Sequence, residues 1–279
     1  MRRIRRRNKQ TAEKLIAMIA VVLAAAVIFG AIGSKRIRVG KKDLAAMRIP
    51  YETALTLHEL AKKYTLPYPE FLALYAVDNR FFAGEMAAKD EAEIVRKYVM
   101  NYEKLKRQYG AGKMEPYVKL FDILLGEIKC FPIANEFGGY MYGDSFRLAW
   151  VSGYKNHDGT DIIDRENVKG RLKAVGMAAG VVETCGFDEA DGYFVGIRAS
   201  SGNYYYYAHF DSLDPLLEQG KQIAAGETLG LMGSTGKGEA KFGYPVRLHI
   251  EIRVKTTFSN EEMRINPYIF LRLSESGLY

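Results

Sequence analysis

Low-complexity tracts are absent from this sequence of 279 residues, and cysteine is scarce, with only Cys130 and Cys185. A disulfide-dense scaffold is therefore excluded. A disordered or collagen-like chain is excluded as well, because 48% of the residues are hydrophobic and 26% are charged. A chain of this length buries a substantial core in one large domain or two modest ones. The two cysteines either form one disulfide or lie apart as small buried residues.

Acidic residues are almost lacking from the first 42 positions, where Glu13 stands against twelve lysines and arginines. This segment carries a net charge of +11, and because the whole chain carries +7, residues 43–279 carry −4. A mildly acidic body behind a basic tail does not offer the positive surface that binds phosphates. Nucleic acid is therefore excluded as a partner.

Charge is also lacking from residues 15–33, a run of 19 uncharged and mostly aliphatic positions. As a helix this run would span about 28 Å, which matches the hydrocarbon core of a bilayer. Seven basic residues precede it. The positive-inside rule therefore places residues 1–14 in the cytoplasm and predicts a single-pass cell-membrane protein with its carboxyl end outside. A cleaved signal peptide is the alternative, although its apolar core is usually only about 7–15 residues long.

The predicted exported part of the chain divides into two regions with different sequence patterns. Hydrophobic residues in 51–127 recur at helical spacing, which predicts a helical neck or small helical domain after a linker at 34–50. This region shows no catalytic pattern and is expected at most to contact a protein partner. After residue 130, where 20 of the 27 glycines lie, short segments separated by turn residues predict a mainly β, antiparallel domain.

Histidine is scarce too, and three of the four histidines fall in the predicted β domain: His157, His209 and His249. Asp161 follows His157 by four positions. Along the last long strand, period-2 alternation places Arg247, His249 and Glu251 together on the face opposite the core, toward a groove. Two imidazoles and a carboxylate, with one position left for water, form the arrangement of a catalytic zinc site. A hydrogen-bonded core cluster without metal is the alternative.

Four ordered motifs surround these residues: Asn156-His-Asp-Gly-Thr-Asp-Ile162, Tyr205-Tyr-Tyr-Ala-His-Phe210, Gly226–Gly236 and Arg247-Leu-His-Ile-Glu251. Together with Asn266-Pro267-Tyr268, they make residues 131–272 resemble the lysostaphin-type (LytM-like) zinc metallopeptidases, leaving 273–279 as a tail. The resemblance implies a compact antiparallel β domain of the duplicated-hybrid-motif type with a groove. It also implies action on peptide bonds in the stem or cross-bridge of bacterial peptidoglycan.

The resemblance further implies one zinc ion per chain, with His157, Asp161 and His249 as ligands and His209 as a catalytic histidine. One position departs from the family pattern, because Arg247 stands where the third motif, His-x-His, has its first histidine. A guanidinium stays protonated and cannot act as a general base, although it can donate hydrogen bonds to a developing oxyanion. The sequence therefore favours a zinc site more firmly than it favours turnover.

Three further residues are expected in the substrate groove. Residues Tyr204–Tyr207 predict a strand with alternating buried and exposed rings. Tyr205 and Tyr207 are in phase with His209 and are therefore the rings expected to face the groove. Glu251 is expected beside them, from its place on the last strand.

Two functions remain open from the sequence. The first is a membrane-anchored zinc endopeptidase that cuts peptidoglycan at the cell surface, with His209 orienting or deprotonating the attacking water. The second is a catalytically impaired LytM-like scaffold that binds a peptide or partner without cleaving it. Some anchored relatives act in this way, including a channel-forming protein of endospore-forming bacteria. Arg247 favours the scaffold, whereas His209 and the complete ligand set favour the enzyme.

Overall fold

The computed structural model describes residues 41–77, 91–109, 111–134, 138–148, 157–237, 243–255 and 261–278. All of them belong to one compact unit, Gly40–Tyr279. Within these ranges no helix is both long enough and apolar enough to cross a bilayer. The predicted basic tail at 1–14 and the predicted anchor at 15–33 lie outside the described residues.

Helices fill the amino-terminal half of the described chain: α1 (Lys41–Ala46), α2 (Tyr51–Tyr64), α3 (Tyr68–Val77), α4 (Glu91–Tyr109) and α5 (Ala111–Glu127). Thr65 closes α2 in the left-handed conformation with φ 53°, two residues before Pro67. Helix α5 begins at Ala111. Pro116 therefore lies inside the helix, where it has no N–H to donate to the carbonyl one turn back.

The described part of the predicted linker is packed against the domain instead of being extended. Its buried apolar residues are Leu44, Ala45, Met47 and Ile49. The buried Asn266 holds this segment, because its backbone N–H donates to the Ala45 carbonyl at 2.7 Å and its side-chain amide donates to the Ala46 carbonyl at 3.1 Å. The same amide donates to Asp144 Oδ1 at 2.9 Å. Residues 41–49 are therefore part of the folded body.

Ten short strands and a final helix make up the rest: β1 (Tyr140–Tyr142), β2 (Thr160–Asp164), β3 (Lys173–Val175), β4 (Gly180–Asp188), β5 (Gly192–Arg198), β6 (Tyr204–Leu213), β7 (Gln222–Ile223), β8 (Thr228–Met232), β9 (Arg247–Val254), β10 (Met263–Ile265) and α6 (Tyr268–Glu275). The main strand order is β1-β2-β9-β6-β5-β4-β7, with β10 on β9 and β8 joining β3 to β6. All of these pairings are antiparallel, so the predicted mainly β, antiparallel domain is confirmed. Helix α6 runs into the predicted tail at 273–279, and Leu273 is buried.

Alternation along β9 separates a core face from a polar face, as the sequence predicts. Leu248, Ile250 and Ile252 are all 0% exposed and pack in the core. Their polar neighbours Arg247 and Glu251 lie on the other face and are also buried, at 5% and 8% exposure. The polar face of β9 is therefore covered over much of its length and is not an open groove wall.

The two cysteines lie apart as free thiols. The Cys130 thiol donates to the Gly176 carbonyl at 3.3 Å, and burial raises the pKa of this thiol. Of the two arrangements left open by the sequence, the structure therefore has the separate residues.

The loop after β2 is organised by one buried carboxylate, that of Asp164, whose side chain is 0% exposed. It accepts backbone N–H groups from Glu166 and Val168, both at 3.1 Å, and an ion pair from Arg171. Burial by itself would raise the pKa of this carboxyl, but these donors hold the pKa below its ordinary value.

We expect Asp164→Asn to destabilise the fold by about 3 kcal/mol, because it removes the buried counter-ion of the largely buried Arg171 and leaves only the exposed Glu166 beside it. A carboxyl with a depressed pKa stabilises the fold above its unfolded pKa of about 3.9 and loses this contribution as the pH falls. Wild type should therefore lose more stability on acidification than the variant, as followed by thermal unfolding. Glu166→Gln is the control, because Glu166 is 63% exposed and its pair with Arg171 should contribute less than about 1 kcal/mol. Equal losses from both variants would contradict this account.

Candidate metal centre

Three candidate ligands converge where β2 and β9 pair. His157 immediately precedes β2, while Asp161 on β2 lies directly opposite His249 on β9. The His157 Nε2 atom is 3.1 Å from Asp161 Oδ1 and 3.2 Å from His249 Nδ1. The third side of the triangle, from His249 Nδ1 to Asp161 Oδ1, is 2.8 Å. The antiparallel register thus joins residues that are 88 and 92 positions apart in sequence.

This donor set fits a zinc ion. Ligands of a four-coordinate zinc with bonds of about 2.0–2.1 Å lie about 3.3 Å from one another, close to the sides of the observed triangle. His157, Asp161 and His249 form the His-Asp-His grouping that could hold a metal among the described residues. Two nitrogens and one oxygen fill three positions, which leaves a fourth for water or substrate.

Each histidine is oriented from behind by an acceptor. His157 Nδ1 donates to the Ser145 carbonyl at 2.9 Å, and His249 Nε2 lies 3.5 Å from Glu251 Oε1. A proton on each rear nitrogen leaves the lone pairs of His157 Nε2 and His249 Nδ1 directed at the centre. Sequence analysis did not identify Ser145, because any residue type can supply a backbone carbonyl.

The charges around His249 favour a cation at the centre. Burial lowers the pKa of His249, yet hydrogen bonds to Asp161 and Glu251 raise it to about 10. Burial likewise opposes ionisation of Asp161, but hydrogen bonds from His157 and His249 hold its pKa well below the ordinary value. The pKa of Glu251 is about 2 despite burial, because His249 and Arg253 stabilise its charge. The site therefore contains two carboxylates that remain ionised.

Gly159 allows the two strands to approach closely at the centre. A Cβ at this position would lie 2.1 Å from the Ile250 carbonyl oxygen and 2.8 Å from the His249 ring. No larger residue fits without moving the His249 ring, which explains the glycine inside the first motif.

His209 reaches the site through a β-bulge. Strand β6 pairs Ala208 with Phe194 and Phe210 with Tyr193 on β5, so His209 is an extra residue between the two pairs. Its φ of 69° is a left-handed conformation that costs a non-glycine residue about 1–3 kcal/mol. The bulge turns the His209 ring to the side of His249, with 5.9 Å between the ring centroids.

The expectation that Tyr205 and Tyr207 face the groove is wrong. Both rings are 0% exposed and point into the core. The Tyr205 hydroxyl donates to Glu127 at 3.0 Å, and the Tyr207 hydroxyl accepts the Met177 backbone N–H at 2.8 Å. The sequence argument assumed an unbroken alternation up to His209, and the bulge shifts that phase by one residue.

Arg247 contacts His209 directly. Its Nη2 atom donates to His209 Nε2 at 3.0 Å, while His209 Nδ1 donates to the Thr235 carbonyl at 2.9 Å. Burial and the neighbouring Arg247 lower the pKa of His209 to about 3. His209 is therefore a neutral imidazole whose remaining lone pair is already engaged by the guanidinium.

Asp161 balances the charge of Arg247. The Arg247 Nε atom lies 3.6 Å from Asp161 Oδ2, the oxygen that does not face the histidines. The guanidinium also lies 5.0 Å from the centroid of the Tyr244 ring and donates to the Pro245 carbonyl at 3.3 Å. The Arg247 cation is thus tolerated beside the candidate metal centre, because the Asp161 carboxylate faces Arg247 with one oxygen and the two histidines with the other.

An antiparallel β domain with a His-Asp-His grouping, and a further histidine 5.9 Å from the His249 ring, is the arrangement typical of zinc metallopeptidases. Residues 155–266 match the model of peptidase family M23, whose members are zinc metallopeptidases. The predicted lysostaphin-type, LytM-like identity is confirmed.

Individual proteins extend this likeness beyond the matched domain. The chain is 27% identical over 184 residues to the L-Ala–D-Glu endopeptidase of Bacillus subtilis (strain 168), covering 62% of this chain and 53% of the relative. It thus spans about half the length of that relative. A crystal structure of a candidate glycyl-glycine endopeptidase LytM from Ruminococcus gnavus ATCC 29149 is similar over 87% of this chain and 94% of its own, with TM-score 0.65 and 28% identity. Lysostaphin from Staphylococcus simulans aligns over 51% of this chain and 53% of its own, with TM-score 0.39 and 21% identity.

Proposed function

We propose that this chain is a zinc-dependent M23 endopeptidase that acts on peptide bonds of bacterial peptidoglycan at the cell surface, with turnover slowed by Arg247. The triangle of His157, Asp161 and His249, with both histidines oriented from behind, carries the proposal. The similar proteins are named for L-Ala–D-Glu and glycyl-glycine bonds, which supports a cell-wall peptide as substrate.

The residues divide the work of the reaction. His157, Asp161 and His249 would hold zinc, which when bound supplies the Lewis acidity that polarises a scissile carbonyl and activates water. The His209 ring lies beside the His249 ring, with 5.9 Å between their centroids. Its Nε2 atom is the one that could transfer a proton, because Nδ1 donates to Thr235. Nε2 is occupied by an Arg247 N–H, so His209 must break that hydrogen bond before it can accept a proton. The hydrogen bond from Arg247 to His209 is therefore expected to slow hydrolysis more than it weakens substrate binding.

A non-cleaving scaffold is the second candidate function, and the Arg247–His209 hydrogen bond is the observation that favours it. In that case the zinc centre holds a peptide or a protein partner, and the family histidine that Arg247 replaces is no longer needed. The two candidates share the metal centre and differ only in proton transfer.

We expect the purified full chain to contain about one zinc per molecule and to release new amino groups slowly from purified peptidoglycan. Metal analysis and amino-group release are measured on the same preparation. Removal of zinc by a chelator should stop the release, and zinc added back should restore it. A zinc-loaded chain that releases no amino groups would support the non-cleaving scaffold and contradict the endopeptidase. A chain that binds no zinc would contradict both candidate functions.

The cell-surface location rests on the apolar run at 15–33 and on the seven basic residues before it. If residues 15–33 anchor the chain with its carboxyl end outside, protease added to intact, wall-stripped cells should digest the domain at 131–272. A tag on residues 1–14 should stay protected until the membrane is permeabilised. Protection of the domain together with cleavage at the amino end would overturn this topology.

A further inference from the structure

Glu251 lies behind the centre and not in an open groove. It follows His249 by two residues on β9, so both side chains lie on the same face of the sheet. Its Oε1 atom is 3.5 Å from His249 Nε2, the nitrogen that faces away from the other two ligands. The Glu251 side chain is only 10% exposed, so little of its carboxylate is available to a substrate.

The other oxygen of this carboxylate is held by two arginines, one on the same strand and one on the neighbouring strand. Glu251 Oε2 accepts from Arg253 on β9 at 2.7 Å and from Arg264 on β10 at 3.2 Å. Arg264 also lies 3.6 Å from Asp158 Oδ2, on the residue next to His157. One oxygen of Glu251 thus fixes the side chain to the sheet, and the other oxygen faces the His249 ring.

We propose that Glu251 is a positioning residue for the metal centre, and that Arg253 and Arg264 hold it in place. By accepting the Nε2 proton of His249, Glu251 keeps the Nδ1 lone pair directed at Asp161 and His157. Acceptors behind histidine ligands set the tautomer and ring orientation in metal sites generally, and their removal typically weakens metal binding about 10–100-fold. This inference rests on the proposed zinc site and concerns the binding of the metal.

The same sheet provides a matched control. Glu183 on β4, whose side chain is 43% exposed, forms an ion pair with Arg198 at 2.6 Å, and Arg198 in turn pairs with Glu262, the residue before β10. No contact of Glu183 with a histidine is present among the described residues. Glu183→Ala therefore removes a sheet ion pair of the same type without removing an acceptor from the candidate ligands.

We expect Glu251→Ala to weaken zinc binding by the full chain about 10–100-fold in competition with a chromophoric chelator. Glu251→Gln keeps an acceptor oxygen and should recover most of this loss. Arg264→Gln should produce a smaller loss than Glu251→Ala, because Arg253 still holds the carboxylate. Glu183→Ala should leave the affinity within about threefold of wild type. The absorption spectrum of the cobalt-substituted chain should change in Glu251→Ala and not in Glu183→Ala.

The comparison separates the inference from the function on which it rests. If wild type binds no zinc, the proposed function fails. If wild type binds zinc and Glu251→Ala binds it equally well, the positioning role is wrong while the proposed function stands. Equal loss of affinity in Glu251→Ala and Glu183→Ala would show a general loss of sheet stability and would also overturn the positioning role. Should Glu251→Ala fail to fold, Arg264→Gln decides the question, since an affinity equal to that of wild type in this variant would contradict the positioning role.

Discussion

Replacing Arg247 by histidine is expected to raise the rate of peptidoglycan hydrolysis by about 10²-fold, at the lower end of the 10²–10⁴-fold that a positioned acid–base group contributes. The substitution removes the N–H that occupies His209 Nε2 and adds an imidazole that can both accept and donate a proton. Release of amino groups from purified peptidoglycan, compared at equal zinc content, measures the gain.

Arg247→Gln is the control for this experiment, because it removes the cation without adding a base. If only Arg247→His is faster, the missing proton acceptor limits turnover. If both variants are faster, the hydrogen bond from Arg247 to His209 is what limits it. If wild type is already fast and both variants are slower, by about 10²-fold or more, Arg247 is an oxyanion donor and the proposed slowing by Arg247 is wrong. No activity in any zinc-loaded variant would favour the non-cleaving scaffold.

Replacing His249 by alanine is expected to abolish stoichiometric zinc binding, whereas His209→Ala should leave most of it. His249 Nδ1 lies 2.8 Å from Asp161 Oδ1 and is one of three inward-facing donor atoms. His209 Nε2 faces Arg247 instead of the triangle. The loss in His249→Ala should therefore exceed the roughly 10–100-fold that removal of an outer acceptor costs.

Metal analysis after gel filtration, together with chelator competition, measures both variants, and circular dichroism confirms that each is folded. His58→Ala is a further control, because this histidine lies on α2 and pairs with its neighbour Glu59. If His209→Ala loses zinc as completely as His249→Ala, the division into ligands and a catalytic histidine is wrong.

Local sequence pattern was sufficient to predict much of the fold. Period 2 along β9 predicted which side chains enter the core, and Leu248, Ile250 and Ile252 are fully buried there. It succeeded because a regular strand places alternate side chains on opposite faces whatever its partners are. The same rule failed on β6, where Tyr205 and Tyr207 are buried and His209 is not in their phase. A bulge depends on how two strands pair, and one strand's sequence does not specify the pairing.

The sequence by itself determined the class of domain and the identities of the candidate ligands, because ordered motifs and alternation are local properties of a chain. Only the tertiary structure decided how those residues act together. It brought Arg247 into a hydrogen bond with Nε2 of His209, which is 38 positions away in sequence. It also placed Glu251 next to His249, where Arg253 and Arg264 hold its carboxylate. Such contacts follow from strand register and from a left-handed residue at 209, and both are set by packing across the sheet. Distances of about 3 Å between side chains from different strands are fixed only when the whole sheet has formed.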